Sequence, residues 1–122
     1  MPDIATVELK LGQKTYKLVP TYRVLEAVSQ RFGGHAKAIE AVSSLDVQAM
    51  VRIIQTATPK ITDAEVKALP KLLFEAKLPV AAVPLIEFLA ILANGGQPLP
   101  KPGENGDDGD DKTEETGETG EG

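Results

Sequence analysis

The single histidine is the first candidate for chemistry in this 122-residue chain. His35 directly follows Gly33-Gly34 and opens a predicted helix, and a glycine-rich turn at a helix start can hold a phosphate group. Neither the P-loop pattern nor the G-x-G-x-x-G pattern of dinucleotide-binding proteins is present, however. A glycine pair that ends one helix, followed by a surface histidine, explains the same residues. We therefore predict no cofactor site here.

Paired carboxylates are the next candidates, because they can serve as a general acid and base. The pairs are Glu26 with Glu40 and Asp63 with Glu65. Each residue lies on a polar helix face or at a predicted helix start, where solvation or the helix dipole accounts for a carboxylate. The chain has no cysteine, which excludes a thiolate zinc site and a cysteine nucleophile. We predict that the protein is not an enzyme and binds no metal.

The C-terminal segment differs from the rest of the chain in charge. Residues 97–122 hold nine of the eighteen acids and two lysines, a net charge of −7, whereas residues 1–96 carry a net charge of +2. The segment has one large apolar residue, Leu99, and cannot offset the roughly 1–2 kcal/mol per residue that ordering a backbone costs. The sequence predicts a globular domain at 1–96 and a disordered acidic tail at 97–122.

Three functions for the acidic tail follow from its composition. The first is to keep the protein soluble, the second is to dock to a basic partner or to mimic nucleic-acid charge, and the third is to bind calcium. Asp107 and Asp111 have the outer spacing of a calcium loop, but Gly109 between them offers no side-chain ligand. Lys112 then stands where such a loop needs its glycine, so the pattern argues against calcium.

The elements that would position these residues begin with a predicted β-hairpin. Residues 4–11 and 14–19 alternate apolar and polar side chains around Gly12-Gln13. A two-residue loop with glycine first is typical of a type II′ hairpin. A lone hairpin is only marginally stable, so its apolar face must pack on something. The implied pairs are Val7 with Leu18, Leu9 with Tyr16, and Leu11 with Lys14.

Apolar residues at helical spacing then predict four to five short helices. Thr21 can cap the first, and Ser43-x-x-Asp46 and Thr62-x-x-Glu65 resemble capping boxes for two others. Pro70 predicts a kink in one helix or its division into two. The fold class is therefore α+β and mostly helical. The predicted helices cover 22–32, 35–42, 45–57, 63–77, and a last one that begins between 80 and 84 and ends at 94.

The last predicted helix is apolar on nearly all sides. Between Val83 and Leu92 only Glu87 is charged, whereas a surface helix shows one apolar stripe. Either the helix is the buried centre of the domain, or one face packs inward while another meets a partner or a second copy. In the second case the partner-binding residues are Leu85, Phe88, Leu89 and Leu92.

The sequence has few features of a membrane or nucleic-acid-binding protein. No run approaches 18 apolar residues, and the N-terminus does not have the pattern of a signal peptide. Lysine and arginine are scattered without interleaved aromatic residues. We expect a cytoplasmic protein that binds neither a membrane nor nucleic acid.

The motifs of the body can be compared with a known family. The hairpin reads V-E-L-x-L-G-x-x-x-Y-x-L, Leu45-Asp46-Val47 opens a helix, and the last helix contains E-F-L-A before a glycine pair. This order resembles the small tail proteins of gene transfer agents and related long-tailed phages, described as tail-assembly-chaperone-like. The resemblance covers about residues 5–96, although Lys77-Leu78-Pro79 replaces the family's usual glycine before the last helix. The best-matching positions are Leu9, Gly12, Tyr16, Leu18, Pro20, Thr21, Tyr22, Leu25, Glu26, Phe88 and Leu89.

The resemblance implies a non-enzymatic helper in tail morphogenesis. Such a protein would coat the long, apolar tape-measure protein and help to recruit tail-tube subunits in the bacterial host cytoplasm. Its partners would be the tape-measure protein and the tail-tube protein, and further copies of itself in a homo-oligomer. The alternative is a structural minor tail component, associated with the tube in the virion.

Overall fold

The computed structural model describes residues 5–99, which form a β-hairpin followed by five helices. The predicted α+β, mostly helical fold is confirmed. The acidic tail lies, from residue 100 onward, outside the described residues. The elements are β1 (Val7–Leu11), β2 (Lys14–Leu18), α1 (Tyr22–Phe32), α2 (His35–Ser43), α3 (Val47–Ala57), α4 (Asp63–Ala76) and α5 (Leu78–Ala93).

The hairpin has the predicted register. Strands β1 and β2 pair antiparallel, and Gly12 adopts a φ of 62°, as the first central residue of a type II′ turn requires. The apolar positions of both strands are buried, so this face packs on the helices. The confirmed pairs are Val7 with Leu18, Leu9 with Tyr16, and Leu11 with Lys14.

Side-chain caps explain where three of the helices begin. Thr21 and Asp46 each accept a hydrogen bond from a backbone N–H three residues further on, at 3.3 and 3.2 Å. The Thr62 hydroxyl accepts from the Glu65 N–H at 3.1 Å, and the Glu65 carboxylate accepts from the Thr62 N–H at 2.9 Å. The predicted Thr62 capping box is therefore confirmed.

The predicted capping box at Ser43 is wrong. Helix α3 begins at Val47 with Asp46 as its cap, because Leu45 has a φ of 62° and interrupts the helical path. Ser44 instead closes α2, where its hydroxyl donates to the Glu40 carbonyl at 2.8 Å.

The last two helices differ from the prediction near their prolines, although Pro70 lies inside α4 as expected. Helix α4 is not divided at Pro70 and continues to Ala76. Helix α5 begins at Leu78, earlier than predicted, with Pro79 in its first turn. A proline there loses no intrahelical hydrogen bond, because the first N–H groups have no partner in the helix. Because the helix begins earlier than predicted, Pro84 lies inside α5.

Helix α5 is the centre of the domain. It contacts β1 and all four other helices, so its apolar residues are covered from several directions. Among the described residues no single helix is long and apolar enough to cross a membrane, and α4 and α5 reach that length only together, across a bend of 116°. The largest fully buried side chains outside α5 include Leu9, Leu11, Leu18, Met50, Ile53, Ile54, Leu69 and Leu73.

The two ends of the described chain lie beside each other. The Ala5 N–H donates to the Gly96 carbonyl at 3.0 Å. Gly96 has a φ of 80°, and a Cβ at this position would lie 2.5 Å from the Pro20 carbonyl oxygen. Glycine is therefore required where the chain leaves α5 and passes the end of the hairpin.

Candidate partner-binding surface

The predicted partner-binding face of α5 is buried within the protein's own core. The prediction is wrong, because β1 and the other four helices cover this face and no partner can reach it. Its members have exposed fractions of 0 to 2%, and they are Leu85, Phe88, Leu89 and Leu92. The buried-centre alternative therefore holds for the stretch from Leu85 to Leu92, whereas Val83, at the start of the apolar run, is 67% exposed.

An exposed apolar surface lies instead where α4 meets α5. Phe74 in the last turn of α4 is 75% exposed, and Val80 and Val83 on α5 are 62% and 67% exposed. Val80 and Val83 are three residues apart and so share one face of α5. We call these three residues the apolar corner. A groove beside it is lined by Leu45, Phe74, Lys77, Leu78, Pro79 and Val80.

The backbone beside the apolar corner is strained at two positions. Lys77, between the two helices, has φ 76° and ψ 120°, and Leu45 has φ 62°. Residues with a Cβ rarely adopt positive φ, and each instance costs about 1–3 kcal/mol. Because both residues line the same groove, the strain is concentrated where apolar side chains are exposed.

Lysines surround the α4 side of the apolar corner. Lys67 and Lys71 precede Phe74 at helical spacing, and Lys77 lines the groove. All three are exposed, and none forms an ion pair with another residue of 5–99. The surface therefore combines exposed apolar side chains, among them an aromatic ring of the kind enriched at protein interfaces, with a charged and solvated rim.

The carboxylates considered for catalysis have structural or solvated positions. Asp63 and Glu65 both lie in the first turn of α4, where Glu65 belongs to the capping box. Glu26 and Glu40 are exposed on α1 and α2 and form no ion pair with a described residue. No group of three residues suited to hold a metal ion occurs in the described part of the chain.

Hydrogen bonding lowers the pKa of Glu65 below its ordinary value of 4.5. The main cause is the hydrogen bond from the Thr62 backbone N–H, followed by that from the Thr62 hydroxyl. Lys14 contributes as well, since its Nζ lies 3.4 Å from the Glu65 carboxylate. These contacts favour the ionised carboxylate and join the hairpin to the start of α4.

His35 begins α2, as predicted, but its environment differs from that of a surface histidine. The residue is half-buried, and both ring nitrogens are shielded and have no hydrogen-bond partner among the described residues. Within residues 5–99, His35 belongs to no group of three side chains that could hold a metal ion.

The sequence carries one signal for the apolar corner. Val66, Leu69 and Leu73 recur at helical spacing and so indicate the inward stripe of α4, and successive helical residues are about 100° apart. Phe74 directly follows Leu73 and therefore lies off that stripe. An aromatic residue beside the stripe, three residues after Lys71, indicated an exposed apolar position.

Comparisons with family models, with curated proteins and with solved structures gave no match for this chain.

Proposed function

We propose that this protein is a tail assembly chaperone of the phage type, with no enzymatic activity, which works in the bacterial host cytoplasm. It binds the tape-measure protein and helps to recruit tail-tube subunits. The observation that carries the proposal is the apolar corner, because Phe74, Val80 and Val83 expose large apolar side chains that the domain does not cover.

The apolar corner suits the expected substrate. A tape-measure chain exposes long amphipathic helices before the tube closes around it, and an amphipathic helix binds by laying its apolar face in an apolar groove. The groove beside Phe74 is lined by residues from the end of α4 and the start of α5, at the point where the two helices meet at a bend of 116°. A single small contact is weak, but many copies bound along one rod add up to a stable coat.

A binding experiment tests the proposal. Purified full-length protein is titrated with tape-measure fragments from the same tail module, and the Phe74→Ser/Val80→Ser double variant is compared with it. We expect the double variant to keep its fold and to lose binding at least tenfold. Normal binding by the folded double variant would contradict the proposed surface.

Tyr22 provides a matched control. Its side chain is also 75% exposed, but it lies beside Leu92 and Gly96 at the other end of α5. Because a helix rises about 1.5 Å per residue, the two ends of α5 are roughly 20 Å apart. Tyr22→Ser should therefore bind tape-measure fragments normally, and equal loss in both variants would indicate nonspecific binding of apolar surfaces.

Mass spectrometry of purified particles distinguishes the chaperone from a structural minor tail component. A chaperone leaves the assembled tail, so mature particles should contain little of this protein. Many copies in mature particles would favour the structural alternative.

A further inference from the structure

One edge of the hairpin has unpaired backbone groups. In an antiparallel pair with a two-residue loop, the residues that flank the loop are hydrogen-bonded to each other, and bonded and non-bonded pairs then alternate. Leu11 and Lys14 flank the loop, so Thr15 and Lys17 turn their N–H and C=O groups away from β1. These outward groups form no backbone hydrogen bond within residues 5–99.

Two residues further along the same edge, at Val19, the backbone is hydrogen-bonded to the rest of the domain. The Val19 N–H, which also points away from β1, donates to the Ala57 carbonyl at the end of α3 at 3.0 Å. The chain therefore closes the edge at Val19 and leaves it open at Thr15 and Lys17. An exposed strand edge of this kind is a template for another strand.

A groove of about 390 Å³ runs beside the open edge. One wall is β2, and the other is the connection between α3 and α4, residues 58–61. Tyr16 and Thr58 both line it, and both hydroxyl oxygens are buried without a hydrogen-bond partner in the described chain. Tyr16 is only 4% exposed, and an unsatisfied buried hydroxyl costs about 1–3 kcal/mol. Because both oxygens are shielded, the contacts that the groove offers an occupant are the open backbone edge and the exposed side chains around it.

The charged side chains of the groove that have no charged partner within residues 5–99 are lysines. Lys17 and Lys60 line it and are exposed, and neither forms an ion pair within residues 5–99. The one carboxylate in the lining, that of Glu65, already accepts hydrogen bonds from Thr62 and from Lys14. An occupant with negative side chains would therefore be favoured over a positive one.

We propose that the edge of β2 binds an extended, acidic peptide segment of a partner protein, added to the hairpin as a third strand. The segment's backbone pairs with the outward groups of Thr15 and Lys17, and its acidic side chains meet Lys17 and Lys60. Strand addition differs from the helix binding proposed for the apolar corner, and neither proposal rests on the other.

Amide hydrogen exchange, followed residue by residue by NMR on the full 122-residue protein, tests the pairing. The probe is a synthetic ten-residue peptide of alternating valine and glutamate. At saturation it should slow exchange of the Thr15 and Lys17 amides by about tenfold or more, because these amides become hydrogen-bonded. A backbone N-methylated peptide should give no protection, and a peptide with lysine in place of glutamate should bind more weakly.

Charge-reversal variants test the recognition of acidic side chains. The Lys17→Glu/Lys60→Glu double variant should weaken binding of the glutamate peptide by about tenfold or more, equivalent to roughly 1.4 kcal/mol. Lys10→Glu on β1 is the matched control and should leave binding unchanged, since Lys10 lies on the other strand and is not part of the groove lining.

Three results would overturn the proposal. The first is unchanged exchange at Thr15 and Lys17 with saturating peptide, and the second is protection of Glu8 and Lys10 instead, which would place the peptide on β1. The third is protection of Thr15 and Lys17 in the free full-length chain that disappears when residues 100–122 are deleted. That result would assign the edge to the protein's own acidic segment.

Discussion

Two apolar regions of the same helix pair have opposite environments. Phe88 on α5 is fully buried, whereas Phe74 at the end of α4 is 75% exposed, although both belong to apolar stretches. The difference comes from their neighbours: five elements cover the inward face of α5, but the bend at Lys77 leaves the apolar corner outside. The excess of apolar residues in α5 therefore indicates that this helix is central to the core. The exposed apolar surface lies where α5 joins α4.

The largest expected effect is on the free energy of unfolding, and it concerns the buried region around Phe88. Phe88→Ala should lower the free energy of unfolding by about 3–5 kcal/mol, because it removes a fully buried ring and leaves a cavity. Urea denaturation followed by circular dichroism measures the change. A loss below about 1 kcal/mol would mean that the inward face of α5 is not tightly packed.

The next largest effect on stability is expected at Lys77, in the bend between the buried region and the apolar corner. Lys77→Gly should raise the free energy of unfolding by about 1 kcal/mol, because glycine adopts positive φ without strain. Lys71→Gly, at an exposed position inside α4, is the control and should lower the free energy by about 1 kcal/mol. Equal destabilisation by both changes would contradict strain at Lys77.

The apolar corner itself should contribute little to folding. Phe74→Ser should change the free energy of unfolding by less than about 0.5 kcal/mol, because the ring is mostly in solvent already. Thermal and urea unfolding of the variant test this. A loss of about 2 kcal/mol or more would show that the ring is part of the core, and the contrast with Phe88 would then fail.

The smallest effect concerns the start of α4, the helix that carries Phe74. Because folding lowers the pKa of Glu65, its charge stabilises the folded state above the ordinary value of 4.5 and loses this effect as pH falls through the lower folded value. Glu65→Gln can still accept the capping hydrogen bonds from Thr62 through its one oxygen, so the change removes the charge together with the hydrogen bond from Lys14. The wild type should be slightly more stable than the variant at neutral pH, and the difference should vanish in acid. A difference independent of pH would exclude the carboxylate charge as its cause.

Local patterns in the sequence predicted the hairpin and the Thr62 capping box correctly. In both cases the determining residues lie within a few positions of one another, as Gly12 does in its turn. The strained backbone at Leu45 and Lys77 was not predicted, because tertiary packing imposes a conformation that neither side chain prefers. The surface at Phe74 was not predicted for a related reason, because the exposure of this side chain depends on the angle between α4 and α5.

The hydrogen bond between Ala5 and Gly96 brings the two ends of the folded domain together at one place. Gly96 follows the last turn of α5, whereas the apolar corner lies at its first turn, so this meeting point is at the pole opposite the corner. A fluorescent label attached at Ala5 would therefore report from the end of the domain that a partner bound at the corner does not touch.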